Sequence, residues 1–176
     1  MHRWILLALA AVGGCSPYIL NADYDPTTDF SKYKTWDWFT SPQPYGAGMD
    51  PLIEKRIRAS IEEELPHRGL VRPSMSNSAD LLVSYHLSVA QRLEVTPTTA
   101  TYGYGWGRGY VAYGTSDVRT YDEGTLLVDL IDARTKSLVW RGTARATVYE
   151  SSTPEERTER VRAAVQAILD QYPPAK

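Results

Sequence analysis

Asp80-Leu81-Leu82-Val83-Ser84-Tyr85-His86-Leu87-Ser88-Val89-Ala90-Gln91-Arg92-Leu93-Glu94-Val95 is the stretch that decides the fold. Its odd positions Leu81, Val83, Tyr85, Leu87, Val89, Leu93 and Val95 are apolar, while Ser84, His86, Ser88, Arg92 and Glu94 lie between them. Side chains of a strand alternate between its two faces, so this pattern predicts a strand with one dry face and one wet face. A dry face needs other elements to cover it, and the flanking sequence supplies them.

Towards the C-terminus, two more strands are predicted, Val118 to Asp132 and Ser137 to Tyr149. The connection Ala133-Arg134-Thr135-Lys136 has the length of a four-residue hairpin loop. Leu126 to Ile131 is apolar on both parities, apart from Asp129, which predicts a central strand covered at least in part on both faces. Thr153-Pro154-Glu155-Glu156 is a capping box with proline in the first turn, and Val161, Ala164, Val165, Ile168, Leu169 and Tyr172 continue it as a helical stripe.

Towards the N-terminus, Ile53, Ile57, Ile61 and Leu65 recur every four residues behind Asp50-Pro51, a carboxylate cap followed by a proline that needs no helical partner. Pro66 and Gly69 end that helix. Ser41 to Gly46 is a loop by its proline and glycine content, and Tyr33 to Trp38 reads as a strand. The predicted fold class is therefore α+β: an antiparallel sheet of about four strands, ordered β-α-β-β-β-α, with two amphipathic helices packed on one face.

The first residues carry a different message. Met1-His2-Arg3 is basic, Trp4 to Val12 is apolar, and Gly13-Gly14 precedes Cys15, the only cysteine of the 176 residues. An apolar run this short cannot cross a bilayer and fits an export signal. Val12-Gly13-Gly14-Cys15 resembles a bacterial lipobox, in which the cysteine sulfur is acylated and the peptide is cut just before it. Residues 1–14 are then a signal peptide, 15–22 a lipidated N-terminus with a short tether, and 23–173 a single domain. Two or three acyl chains, at about 0.8 kcal/mol for each buried methylene, hold a globular domain to a membrane. Ser16 stands where aspartate usually signals inner-membrane retention, so the resemblance implies a periplasm-facing protein anchored to the outer membrane.

Tyr33-Lys34-Thr35-Trp36-Asp37-Trp38, a helix, Asp80-Leu81-Leu82-Val83, Gly124-Thr125-Leu126-Leu127-Val128-Asp129-Leu130-Ile131-Asp132 and Val139-Trp140-Arg141-Gly142 follow one another in the order of a known family. In these segments the chain resembles the domain of unknown function 4136 family of bacterial lipoproteins, over roughly Asp23 to Pro173. The resemblance implies a compact α+β envelope domain, and it supplies no catalytic residue.

Chemistry-bearing patterns are sparse. A formal net charge of −2 gives no basic surface for nucleic acid. His67 and His86 stand in no metal-ligand spacing and no second cysteine is present, so neither a metal nor a cofactor is expected. His67 falls at a helix C-terminus, where a cation meets the negative end of the dipole, and His86 lies on the wet face of its strand. Asp129 and Asp132 fall on opposite faces of one strand and cannot form a carboxylate pair there. Asp132 is placed to bond the turn amides, and Asp129 to meet Arg141 or Arg145 across the hairpin.

One segment stands out by composition. Tyr102-Gly103-Tyr104-Gly105-Trp106-Gly107-Arg108-Gly109-Tyr110 alternates glycine with large side chains, with Tyr113 and Tyr121 beyond it. Its spacing fails the dinucleotide fingerprint, which needs a third glycine where Arg108 or Tyr110 falls and a helix afterwards. Three readings stay open. Tyr102, Tyr104, Trp106, Tyr110 and Tyr113 could bind a glycan or an envelope protein, cover an edge or the open face of the sheet, or insert at the lipid headgroups. The functional expectation is a membrane-anchored, non-enzymatic binding or scaffolding domain. The alternative is an envelope hydrolase acting on glycans through Asp or Glu residues that the sequence does not single out.

Overall fold

The structure is a computed structural model that describes residues 17–40, 50–74, 78–102, 111–149 and 153–174, with side chains omitted at 97–102 and 111–115. Five strands and two helices follow in the order β1 (Ile19–Tyr24), β2 (Trp36–Trp38), α1 (Pro51–Glu64), β3 (Leu81–Tyr102), β4 (Val111–Asp132), β5 (Leu138–Thr147) and α2 (Pro154–Leu169). The strands form one sheet in the order β1-β5-β4-β3-β2. The α+β class and the two helices are as expected; the sheet differs in strand number and in direction.

The fifth strand is β1, which pairs antiparallel with β5 from Ile19 opposite Arg145 to Tyr24 opposite Trp140. Ile-Leu-Asn-Ala-Asp-Tyr carries too little alternation to be read as a strand, because an edge strand exposed on one side is held chiefly by its backbone ladder. The sheet is also mixed, not purely antiparallel. β2 runs parallel to β3, with Trp36 opposite Leu81 and Trp38 opposite Val83. The physical reason is the helix between them, since a crossover through α1 returns the chain in the same direction. The strand expected from Tyr33 begins only at Trp36, because Phe30–Lys32 forms a turn of 3-10 helix capped by Asp29 and Tyr33 leaves it towards the core.

Both helix starts are as the sequence predicts. Asp50 accepts from Leu52 N at 2.8 Å. Thr153 and Glu156 form the reciprocal capping box, at 3.2 and 3.0 Å. Ile57 and Ile61 of α1 and Val165, Ile168 and Leu169 of α2 are buried against Leu81, Val83, Val128, Leu130 and Trp140 of the sheet. Gly142 lies under this contact. A Cβ there would collide with the Trp140 ring and with Ile168, so the missing side chain lets α2 approach β5.

β4 is central, as its apolar run requires. Leu126, Val128 and Leu130 are buried on the helix side, whereas Leu127, Asp129 and Ile131 are half-buried on the other. Ser84, expected on the wet face of β3, is also buried.

Candidate interaction surface

β3 and β4 outrun the rest of the sheet. β2 leaves β3 at Val83 and β5 leaves β4 at Glu123, yet the β3–β4 register continues without a shift to Tyr102 opposite Val111. Among the described residues no third strand pairs the part from Gln91 to Tyr102 and back from Val111 to Asp122, roughly 40 Å of two-stranded ribbon at ~3.3 Å per residue. A backbone ladder propagates wherever two extended chains lie in register, whether or not a core lies beneath them.

The dry face expected over the whole of Leu81–Val95 is dry only at its beginning. Leu81, Val83 and Tyr85 are buried, whereas Val89, Leu93 and Val95 are 58%, 70% and 58% exposed. Val118, opposite Val95, is 56% exposed. Opposed residues of an antiparallel pair share a face, so these four side chains form an apolar row in solvent on one side of the ribbon. On the other side Arg92 donates to Glu123 at 3.1 Å, and Arg119 donates to Asp117 at 3.1 Å. Where β5 ends, a concavity of about 670 Å³ opens against the ribbon, lined by Leu93, Glu94, Val95, Arg119, Thr120, Tyr121 and Thr147.

The residues singled out by sequence divide in three. Tyr102 and Tyr113 lie at the far end of β3 and near the start of β4, where only the backbone is described. Tyr104, Trp106 and Tyr110 lie in 103–110, outside the described residues, as does Cys15. Tyr121 is half-buried and lines the concavity. The register joins them by chain connectivity, since residues 103–110 link the paired Tyr102 and Val111.

Elsewhere the partly buried carboxylates are committed to structure. Asp132 accepts from Arg134 N and Thr135 N at 2.9 Å each and from the Tyr33 hydroxyl at 2.9 Å. The loop amides, opposed by burial and joined by Tyr33, hold its carboxyl down at about 2, while burial and the same hydrogen bond push the Tyr33 phenol up. Asp129 takes both donors of Arg141, at 2.6 and 2.8 Å, which settles the choice between Arg141 and Arg145. Asp80 accepts from Lys34 N, Thr35 N and the Thr35 hydroxyl at 2.8–2.9 Å, pinning the chain that leads into β2, and its carboxyl is lowered chiefly by the Lys34 amide.

A second cluster was not read from the sequence. The Arg58 guanidinium lies 4.6 Å from the Trp38 ring centre and 5.7 Å from that of Tyr85. Its Nε donates to the Tyr85 hydroxyl at 3.1 Å, which itself donates to Glu54 at 3.1 Å. The residues come from α1, β2 and β3, so no sequence spacing announces them. Hydrogen bonds among Arg58, Tyr85 and Glu54 thus tie α1 to β3 beside Trp38. His67 and His86 are both exposed. Among the described residues no group of three metal-ligating side chains converges, and no helix is long and apolar enough to cross a membrane.

A family model described as Domain of unknown function (DUF4136) matches residues 20–174. The chain belongs to the DUF4136 family. The likeness read from Gly124–Asp132 and Val139–Gly142 is thereby borne out at the level of the family. Among solved structures, this DUF4136 chain is similar to a PDZ domain protein from Parabacteroides distasonis ATCC 8503, with 20% identity and a TM-score of 0.56. That match covers 89% of this chain and 36% of the other, so the chain spans about a third of that protein's length. It is also similar to a DUF4136 family protein from Bacteroides thetaiotaomicron VPI-5482, with 16% identity and a TM-score of 0.50, covering 90% of this chain and 97% of that one. At these identities the likeness speaks for the fold alone. Among curated proteins none matches the sequence.

Proposed function

We propose that this DUF4136 protein is an envelope lipoprotein, anchored to the outer membrane through acylated Cys15 and facing the periplasm. Its β3–β4 ribbon binds or scaffolds another envelope component, a protein or a glycan, and the domain performs no catalysis of its own. The observation that carries the reading is the apolar row Val89, Leu93, Val95 and Val118, which the body of the domain leaves in solvent. Leu93, Val95 and Val118 adjoin on this face, with Val89 beyond Gln91, and clustered exposed apolar side chains on a small domain favour an interaction site. The glycine-spaced aromatics of 103–110, which follow Tyr102 and precede Val111 in the chain, carry side chains suited to sugar faces or protein pockets. The stretch from Cys15 to Ile19 reaches at most roughly 15 Å, so an acylated Cys15 would keep the sheet close to the lipid surface.

Two measurements test it. Mass spectrometry of the N-terminal peptide should show Cys15 as the first residue and acylated; an unmodified thiol in an uncut chain would refute the anchor. A photo-crosslinking residue at Leu93 in intact cells should give, beside any dimer of the chain, an adduct heavier than the chain and unequal to its dimer, and that adduct should vanish with Tyr104→Ala and Trp106→Ala. The same residue placed at Ile19, exposed on the body, serves as the reference. Equal adducts from both positions would remove the ribbon's role, and turnover of glycan strands by the purified chain would overturn the non-enzymatic reading.

A further inference from the structure

The ribbon has an edge as well as faces, and its chemistry is independent of the reading above. Leu81 N donates to Thr35 O, and Val83 O accepts from Phe39 N, so the odd residues of β3 turn their backbone groups away from β4. The β3–β4 register holds its parity to the end. Val89, Gln91, Leu93 and Val95 therefore present N–H and C=O groups on an edge that no described strand pairs. Pro97, with no N–H to give, falls on the same outward parity, costs the intrachain ladder nothing and ends the row of outward donors at Val95. Such an edge is a template for another strand.

We propose that this edge pairs with the same edge of a second copy, antiparallel about a two-fold axis at Leu93. Charge selects the occupant and the register. With Leu93 opposite Leu93 of the other copy, Arg92 faces Glu94 and Glu94 faces Arg92, so the edge is complementary to itself. Sliding by one pairing step in either direction sets Arg92 against Arg92 or Glu94 against Glu94, and like charges directly opposite are unfavourable. Arg92 bonds Glu123 of β4 at 3.1 Å, on the side away from this edge, so its pair with Glu94 of the other copy must be shared with that contact or replace it. Among the described residues no cation lies within ion-pair distance of Glu94. The edge of β4 is the weaker candidate: Val148 N bonds Asp122 O there, and Asp117 and Arg119 already pair with each other.

The register makes the test specific. In the full-length chain, Leu93→Cys should form a disulfide-linked dimer under mild oxidation, with the parent chain carrying Cys15 alone as the control. Val95→Cys alone should not, because Val95 faces Gln91 of the other copy and the two Val95 positions lie well beyond the roughly 7 Å limit for a disulfide. A mixture of Gln91→Cys and Val95→Cys chains should crosslink. Light scattering should give the dimer mass, and Leu93→Pro should give the monomer mass, since it removes an outward N–H and leaves the β4 ladder whole. Glu94→Arg, which perturbs no backbone, should weaken self-association roughly tenfold by placing like charges opposite twice. A monomer throughout, equal crosslinking at Leu93 and Val95, crosslinking at Val118→Cys instead, or a Leu93 adduct only with another protein would each overturn the proposal. The last result would leave the binding role of the ribbon standing.

Discussion

Val83 and Leu93 belong to one strand and one face, yet Val83 is fully buried and Leu93 is 70% exposed. The two regions they represent are held by different forces. In the body, from Leu81 to Leu87 and from Leu126 to Leu130, apolar area removed from water at about 25 cal/mol per Å² drives the packing of α1 and α2 on the sheet. In the ribbon the same alternation meets no opposing layer among the described residues, and the ladder and cross-strand pairs act there. The difference teaches that a period of two reports a strand's faces and is silent about whether anything covers them.

The comparison breaks most visibly in the core. Leu130→Ala should cost about 2–5 kcal/mol, while Leu93→Ala should stay within about 0.5 kcal/mol, measured as urea midpoints at constant slope. Similar losses at both positions would mean that the ribbon is packed. Gly142→Ala comes next. Its Cβ must displace Trp140 or Ile168, and overpacking of this kind costs about 1–3 kcal/mol, with Tm as the readout.

Asp132→Asn should remove on the order of 2 kcal/mol at neutral pH and reshape the acid limb. The native carboxyl titrates at about 2, below its ordinary 3.8, so its contribution is complete above about 4 and is lost as pH falls towards 2. The stability gap between the native protein and the variant should therefore close over that window. A gap independent of pH would assign the effect to packing. Smaller still, Asp129→Asn should cost about 1 kcal/mol, because it spoils a two-pronged pair with Arg141 on the open face of the sheet. Arg92→Ala in the ribbon should cost less than that, and double-mutant cycles with Glu123 measure the coupling.

Much of the body was legible because its signals are local. The Asp50-Pro51 start, the Thr153–Glu156 box, the every-fourth isoleucines and the hairpin around Asp132 each declare themselves within a few residues. β1 and the direction of β2 were not legible, since an edge strand needs no apolar pattern and pairing direction depends on how α1 returns the chain. The length of β3 and β4 was underestimated for a related reason: Thr96 to Thr101 and Val111 to Asp117 show weak alternation, but a ladder once started needs none. Of the candidate surface, composition marked the aromatic segment, whereas the exposed row at Val89, Leu93 and Val95 read as core until the ends of β2 and β5 were known. The Arg58, Trp38 and Tyr85 cluster joins three elements and left no trace in any one of them.

In the proposed function the ribbon binds a partner while the body folds without its help. The direct measurement is the Tm of the Leu93→Ser, Val95→Ser double variant beside its adduct yield from a photo-crosslinking residue at Val118 in intact cells. An unchanged Tm with the adduct lost is the predicted result; a Tm lowered as far as by Leu130→Ala, or an adduct that persists at full yield, would contradict it.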